Sequence, residues 1–150
     1  QELDKLTQNY HRSKSRLESL VNITERYDGY GNSIRKIMEL KDSNPGILGV
    51  IADIIKVEKQ YETAIETALG GTIQNIVTDK ENTAKELINY LKVNKLGRAT
   101  FLPLNAIHSR NTLENDNCIN EKGVVGVASN LVRVSFEYEG LASICLDVFL

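Results

Sequence analysis

Two cysteines in 150 residues are too few for the disulfide framework of a small secreted scaffold, and Cys118 and Cys145 lack metal-site spacing. Both read as free thiols, with Cys145 in the core. No apolar run approaches the ~20 residues of a membrane helix, and the N-terminus shows no signal-peptide pattern, so a cytoplasmic location is expected. A formal charge of -2 argues against a strongly basic nucleic-acid domain, although the first 45 residues are +1 (eight basic, seven acidic) and the remainder -3. Any DNA contact has to use a local patch.

Catalytic signatures are missing too. There is no Walker A sequence, nucleophile elbow, HExxH or Rossmann glycine fingerprint. Gly70-Gly71 follows a helix instead of opening one, so the nearby helix end carries negative partial charge and repels phosphate. His11 and His108 have no Cys, Asp or Glu at ligand spacing, and the pairs Glu58/Glu62 and Glu62/Glu66 read as surface charge. No enzymatic activity, catalytic residue, metal or cofactor is expected within this stretch.

What the chain does have is an internal repeat. Shifted by seventy-seven positions, residues 123–146 fall on residues 46–69. Gly46 meets Gly123, Gly49 meets Gly126, Val50 meets Val127, Val57 meets Val134, Tyr61 meets Tyr138, Glu62 meets Glu139 and Leu69 meets Leu146. A long period seen twice indicates a duplicated structural unit rather than a solenoid. On this alignment Leu150 falls opposite Ile73, so the second copy is expected to be incomplete.

Upstream of the repeat, Leu3, Leu6, Tyr10, Ser13, Leu17, Leu20, Thr24 and Tyr27 alternate spacings of three and four, the a/d seam of a heptad. A coiled coil needing a partner strand is the preferred reading; one amphipathic helix packed on its own domain is the alternative. Gly29 and Gly31 break the rod, and a short helix through Ile34, Ile37 and Met38 ends at Asn44-Pro45-Gly46. The first copy then reads as a buried strand over 48–52, continued or turned at Ile54, Ile55 and Val57. A helix follows with Tyr61, Ala64, Ile65, Ala68 and Leu69 on its buried face, closed by Gly70-Gly71. Next come a strand over 73–77 and a helix with a Thr78/Glu81 capping box and a face of Ala84, Leu87, Ile88 and Leu91, ending towards Gly97. A strand over 99–102 stops at Pro103. Residues 109–122 read as a polar linker, after which strand 124–128 and a helix face of Tyr138, Leu141, Ala142, Cys145 and Leu146 restart the pattern. Strands alternating with helices predict a mixed α/β fold. The expected organisation is a coiled-coil helix over 1–28, a first subdomain over 29–108, a linker over 109–122 and the start of a second subdomain over 123–150.

Basic residues gather in three places: Arg12, Lys14 and Arg16 on the rod; Arg35, Lys36 and Lys41 after it; Lys92, Lys95 and Arg98 around a helix end. Solubility and helix-end charge explain each singly. Convergence of the groups would support weak, non-specific DNA binding, for which Arg35, Lys36, Lys92 and Lys95 are the candidate contacts.

Taken together, the heptad helix, the Tyr-Gly break, the sequence over 46–79, GRATFLPL over 97–104 and GVVGVASNLV with its following Tyr-Glu helix resemble the hinge domain of prokaryotic SMC (structural maintenance of chromosomes) proteins. The resemblance covers residues 29–150. It implies two similar α/β subdomains, the second incomplete here, and a hinge that pairs with a second hinge in a two-fold ring joining two coiled-coil arms. It also implies a role in chromosome condensation and segregation, association with the nucleoid, possible DNA contact, and a kleisin subunit bound elsewhere in the parent protein. ATP and Mg belong to head domains outside this stretch. The rest of the second subdomain and the returning coil are missing from it, so hinge pairing is expected to be impaired. Arg98, Thr100 and Phe101, near a sheet edge, are the candidate dimer contacts, with Phe101 and Leu102 filling the core as the alternative reading. Two alternative readings are an α/β regulatory domain with a small ligand between its repeats, and a weak DNA-binding module.

Overall fold

The computed structural model describes residues 2–26, 29–107, 120–148 and 150. Helix α1 spans Glu2–Arg26, a 25-residue stretch rich in Leu, Lys, Glu and Arg and free of Gly and Pro, so nothing interrupts its backbone ladder. Leu3, Leu6, Tyr10 and Leu17 are all more than 60% exposed. These four seam positions therefore face solvent, while Leu20, nearer the foot, is half-buried. The foot of the rod is held to the body: the Ser19 hydroxyl donates to Asp42 Oδ2 at 2.8 Å. Tyr27 and Asp28, within the expected break, lie outside the described residues.

Helix α2 (Asn32–Glu39) buries Ser33, Ile34, Ile37 and Met38, one stripe at helical spacing. Strand β1 (Ile47–Val50) is shorter than expected, because the chain turns at once into a single helical turn, α3 (Ile51–Ile54). The short strand β2 (Lys56–Val57) and a 3-10 turn (Lys59–Tyr61) lead into helix α4 (Glu62–Leu69). Helix α4 buries Ile65 and Leu69; Ala64, expected on that face, is exposed. Gly70, with φ at 51°, closes the helix, and a 3-10 stretch over Gly70–Gln74 replaces the first half of the expected strand. Strand β3 (Ile76–Thr78) and helix α5 (Glu81–Val93) follow, then strand β4 (Phe101–Pro103), whose last residue is the proline itself.

The sheet has the order β1-β3-β4, antiparallel between β1 and β3 and parallel between β3 and β4. Along β3 the side chains alternate. Ile76 joins a core of Ile34, Ile37, Met38, Ile47, Val50, Leu87 and Leu91 on the α2/α5 face. Val77 joins a second core of Ile51, Ile55, Ile65, Leu69, Ala128, Leu141 and Leu146 on the other face. Each fully buried Ile or Leu contributes ~1.5–3 kcal/mol relative to exposure. The second core draws on both repeats, so the downstream copy packs into the first instead of standing alone.

That downstream copy follows the first element by element. A 3-10 turn at Ala128–Asn130 occupies the place of α3, strand β5 (Val132–Arg133) that of β2, a 3-10 turn at Phe136–Tyr138 that of Lys59–Tyr61, and helix α6 (Glu139–Cys145) that of α4. Gly49 and Gly126, equivalent positions, share the same unusual backbone, with φ at 148° and 156°. Residues 124–126 form no regular strand; Gly126 and Leu150 exchange N–H to O bonds of 3.3 and 3.0 Å. In the first copy Gly49 faces Val77, not Ile73. The second copy has thus dropped four residues after its helix, which corrects the alignment that set Leu150 opposite Ile73. Most of the expected linker lies outside the described residues, as do His108 and Cys118.

Candidate functional site

Strand β4 is one of the two edges of the sheet among the described residues, β1 being the other. The Thr100 carbonyl accepts from the Ile76 N–H at 2.9 Å and so faces inward. By the alternation of a strand, the N–H and C=O of Phe101 face outward, and Pro103 has no N–H to offer. The Phe101 side chain is half-buried against the α2/α5 core, while the side chains of Arg98 and Thr100 are exposed. The three residues suggested as dimer contacts therefore lie along one open edge, Phe101 through its backbone and the other two through their side chains.

The segment after β4 is tied back to the start of α5. Asn105 Oδ1 accepts from the Glu81 N–H at 3.0 Å, and the Asn105 N–H reaches the Asp79 carbonyl at 3.3 Å. Asp79 Oδ1 accepts from the Lys80 N–H at 2.7 Å and the Thr83 hydroxyl at 2.6 Å. These bonds, the Thr83 hydroxyl first, hold the Asp79 carboxyl below its ordinary value of 3.8. The expected capping box does not form: Thr78 is fully buried in β3 and its hydroxyl donates to the Lys80 carbonyl at 3.2 Å. An asparagine twenty-four positions away carries no local capping signal, so sequence pattern missed it.

The candidate DNA contacts do not converge as a set. Lys36 is paired with Glu39 at 2.9 Å, and Arg35 has its Nε buried without a hydrogen-bond partner among the described residues. Lys92 and Lys95, by contrast, line one groove of about 570 Å³ with Arg98, Ile88, Leu91, Gly97 and Ala99. Ile88, expected on the buried face of α5, is 49% exposed there. The face turns away from the core because Ala84, Leu87 and Leu91 already cover it.

A second junction joins the two repeats. Strands β2 and β5 pair antiparallel, with Lys56 opposite Arg133 and Val57 opposite Val132. Arg133 reaches Glu58 at 3.0 Å across that ladder, so Glu58 belongs to an inter-repeat ion pair and not to a helix face. A cleft of about 430 Å³ beside it is lined by Asp53, Ile54, Lys56, Arg133, Val134, Ser135 and Tyr138.

None of this amounts to catalytic chemistry. Burial pushes the Cys145 thiol up, which leaves little nucleophilic thiolate at neutral pH. Burial, with the charge of Glu137 behind it, likewise raises the Tyr138 hydroxyl. His11 stacks edge-on against Tyr10, ring centroids 5.7 Å apart, on the exposed rod. Among the described residues no group of three His, Cys, Asp or Glu could hold a metal, and no helix is long and apolar enough to cross a membrane.

Comparison with known proteins meets this architecture directly. The family profile described as the SMC proteins Flexible Hinge Domain matches residues 44–150. The chromosome partition protein Smc of Desulfitobacterium hafniense is 38% identical over 91% of this chain, and that of Lactiplantibacillus plantarum 42% identical over 81%. The chain spans 12% and 10% of the length of those two relatives. Among solved structures, an asymmetric dimer of the Geobacillus stearothermophilus SMC hinge domain matches 97% of this chain and 60% of its own, with a TM-score of 0.75 and 38% identity. The Pyrococcus furiosus SMC hinge domain matches 88% of this chain and 68% of its own, with a TM-score of 0.64 and 34% identity. The duplicated α/β body at the foot of a helical rod is that of this family, and the chain belongs to the SMC flexible hinge domains.

Proposed function

We propose that this chain serves as the hinge of a chromosome-partitioning SMC protein: a non-catalytic module that pairs with a second hinge and so joins two coiled-coil arms. The observation that carries the reading is the open edge of β4, which presents the backbone of Phe101 beside the exposed Arg98 and Thr100. An unpaired strand edge is a template for another chain, and main-chain bonding supplies affinity there. The exposed seam of α1 supplies the second requirement, an arm that needs a partner helix.

In the same proposal the subdomain bounds are those expected, 1–28 for the arm, 29–108 for the first subdomain, 109–122 for the linker and 123–150 for the second. ATP and Mg chemistry and the kleisin contact lie in other parts of the parent protein, which acts at the nucleoid in the cytoplasm. Any DNA contact in this proposal falls to Lys92 and Lys95, which share a groove, since Lys36 is already paired with Glu39.

Sedimentation velocity from about 1 to 100 µM tests the pairing, spanning the affinities of transient to stable contacts. To separate body from rod, it is run also on Leu6→Glu/Leu17→Glu, which spoils the seam. A dimer that persists in the double variant and is lost on Phe101→Pro supports the edge. A dimer abolished by the seam substitutions alone, or one untouched by Phe101→Pro, overturns it.

A further inference from the structure

The two sides of the β2–β5 ladder are equivalent by the repeat, yet the chain fills only one of them. Lys56 faces Arg133, and two residues further along each strand come Glu58 and Ser135, again one position of the repeat. On the filled side the Glu58 carboxylate lies on Arg133 at 3.0 Å, and its other oxygen accepts from Gln60 Nε2 at 3.0 Å. On the open side a serine stands where that carboxylate would come from, and it lines the cleft of about 430 Å³. Among the described residues the Lys56 ammonium and the hydroxyls of Ser135 and Tyr138, all in this lining, make no hydrogen bond or ion pair. Burial first, and the charge of Glu137 second, keep the proton on Tyr138, so its hydroxyl is there to donate.

We infer that this cleft binds a free α-amino acid, whose carboxylate takes on Lys56 the place that Glu58 takes on Arg133, while its ammonium turns to Asp53 and its aliphatic side chain lies on Ile54 and Val134. Three donors, the ammonium of Lys56 and the two hydroxyls, line the place of the carboxylate, and hydrogen bonds to an ionised acceptor are the stronger kind. Arg133 is in the same lining but already holds Glu58, so the charge left to be met is that of one carboxylate. Asp53 sets the rest of the ligand. Its counterpart in the second repeat is Asn130, so the open side carries an acid where the filled side has a neutral amide. That acid disfavours a phosphate chain or a dicarboxylate and favours an amine beside the carboxylate. The volume lies within the range of small-molecule sites, roughly 300–1,000 Å³. None of the lining residues belongs to α1 or β4, so the site is separate from the surfaces assigned to hinge pairing.

Proton–nitrogen correlation NMR of the whole chain measures it, with L-leucine added to about 20 mM at low salt, a range that brackets the millimolar complex expected of a cleft with exposed cations. Saturable shifts are expected at the amides of Lys56, Ser135 and Tyr138. Binding should be about fivefold weaker or more for leucinamide, which lacks the carboxylate, and for isocaproate, which lacks the ammonium. Lys56→Gln is expected to weaken leucine about fivefold or more, and Asp53→Asn to abolish the preference for leucine over isocaproate. Ser135→Glu gives Lys56 a carboxylate of the chain's own and should block the site. Unchanged shifts away from the cleft report that each variant keeps the wild-type fold. No saturable shift up to about 20 mM overturns the inference. So does equal binding of leucine and isocaproate by the wild type, or leucine binding that persists in Ser135→Glu.

Discussion

Lys56 and Arg133 face each other across the β2–β5 ladder, and they are the same position of the two repeats, seventy-seven residues apart. When equivalent positions meet in an antiparallel pair, a local two-fold axis passes between them. The duplication seen in sequence is therefore a symmetry in space, centred on two like charges. Directly opposed like charges disfavour a ladder, and here Glu58 offsets one of them by binding Arg133. The mirror of that contact pairs Lys56 with Ser135, which has no carboxylate.

Restoring the missing acid tests this symmetry. Ser135→Glu puts a carboxylate diagonal to Lys56 as Glu58 is to Arg133, and both sites are exposed. It is expected to stabilise the fold by about 0.3–1 kcal/mol at low salt, with the gain vanishing towards 1 M NaCl. Thermal melts at two ionic strengths read it; a destabilised variant at low salt would contradict the axis.

Gly46 and Gly123 match in the repeat for different reasons. A Cβ on Gly46 would lie 2.8 Å from Asp79 Oδ1 and 2.9 Å from Thr83, against the Asp79–Thr83 hydrogen bond, whereas Gly123 has open space but a φ of +99°. Gly46→Ala is expected to cost about 1–3 kcal/mol by displacing that bond, and less in an Asp79→Ala background where one obstacle is gone. Denaturant titration of the four-member cycle decides it, and strict additivity would place the cost elsewhere.

These positions mark how far sequence reading reached. The repeat was legible because Gly46, Gly49, Tyr61 and Leu69 recur in register, and the shared backbone of Gly49 and Gly126 gives the physical reason at one of them. The rod was legible because a heptad seam is local. The four residues dropped before Val148 were not, since a shortened loop carries no periodicity to count. Neither was the inter-repeat pairing of two-residue strands, nor the Asn105 cap, because both join residues far apart in the chain. Ile88 shows the limit of periodicity itself: it lies next to the buried stripe of α5, and tertiary packing leaves it outside.

Lys95 has φ at 53°, the left-handed region, where the chain leaves α5. The Leu96 N–H bonds back to Leu91 O, a helix-ending turn that favours glycine at the Lys95 position. Lys95→Gly is expected to stabilise the protein by about 0.5–1 kcal/mol, relief of backbone strain outweighing the extra freedom of the unfolded chain. Lys95→Ala, which keeps the strain, should gain nothing. Equal stabilisation of both in urea would show that charge, not backbone, is the source.

Asp79 predicts a pH dependence of known sign. Its carboxyl is lowered in the folded state, so the charged form is favoured by folding; the contribution is full above the ordinary value of 3.8 and fades as pH falls through the lower folded value. In Asp79→Asn the amide oxygen can still accept from Thr83 and Lys80, but it does not titrate. The two proteins should differ most at neutral pH and converge in acid. A constant gap across pH 2–7, the span over which an aspartate titrates, would remove Asp79 from the acid transition.

The rod yields the last expectation. Helix α1 is anchored through Ser19 and Asp42 near its end, while Leu3, Leu6, Tyr10 and Leu17 are all more than 60% exposed. Most helical stability in a folded protein comes from tertiary packing of an apolar face, which these four residues do not receive. Hydrogen exchange should therefore find the amides over 3–16 exchanging orders of magnitude faster than those of Ile76, Val77, Leu87 and Leu91, whose side chains sit in the core. Leu17→Glu should leave melting of the body unchanged within about 0.5 kcal/mol, as at other exposed sites. Adding a partner strand with a matching seam should slow exchange over 3–16 in the wild type and not in Leu17→Glu. Slow exchange there in the chain alone, at a concentration where it is monomeric, would mean the rod is stable without a partner, and its exposed leucines would then need another explanation.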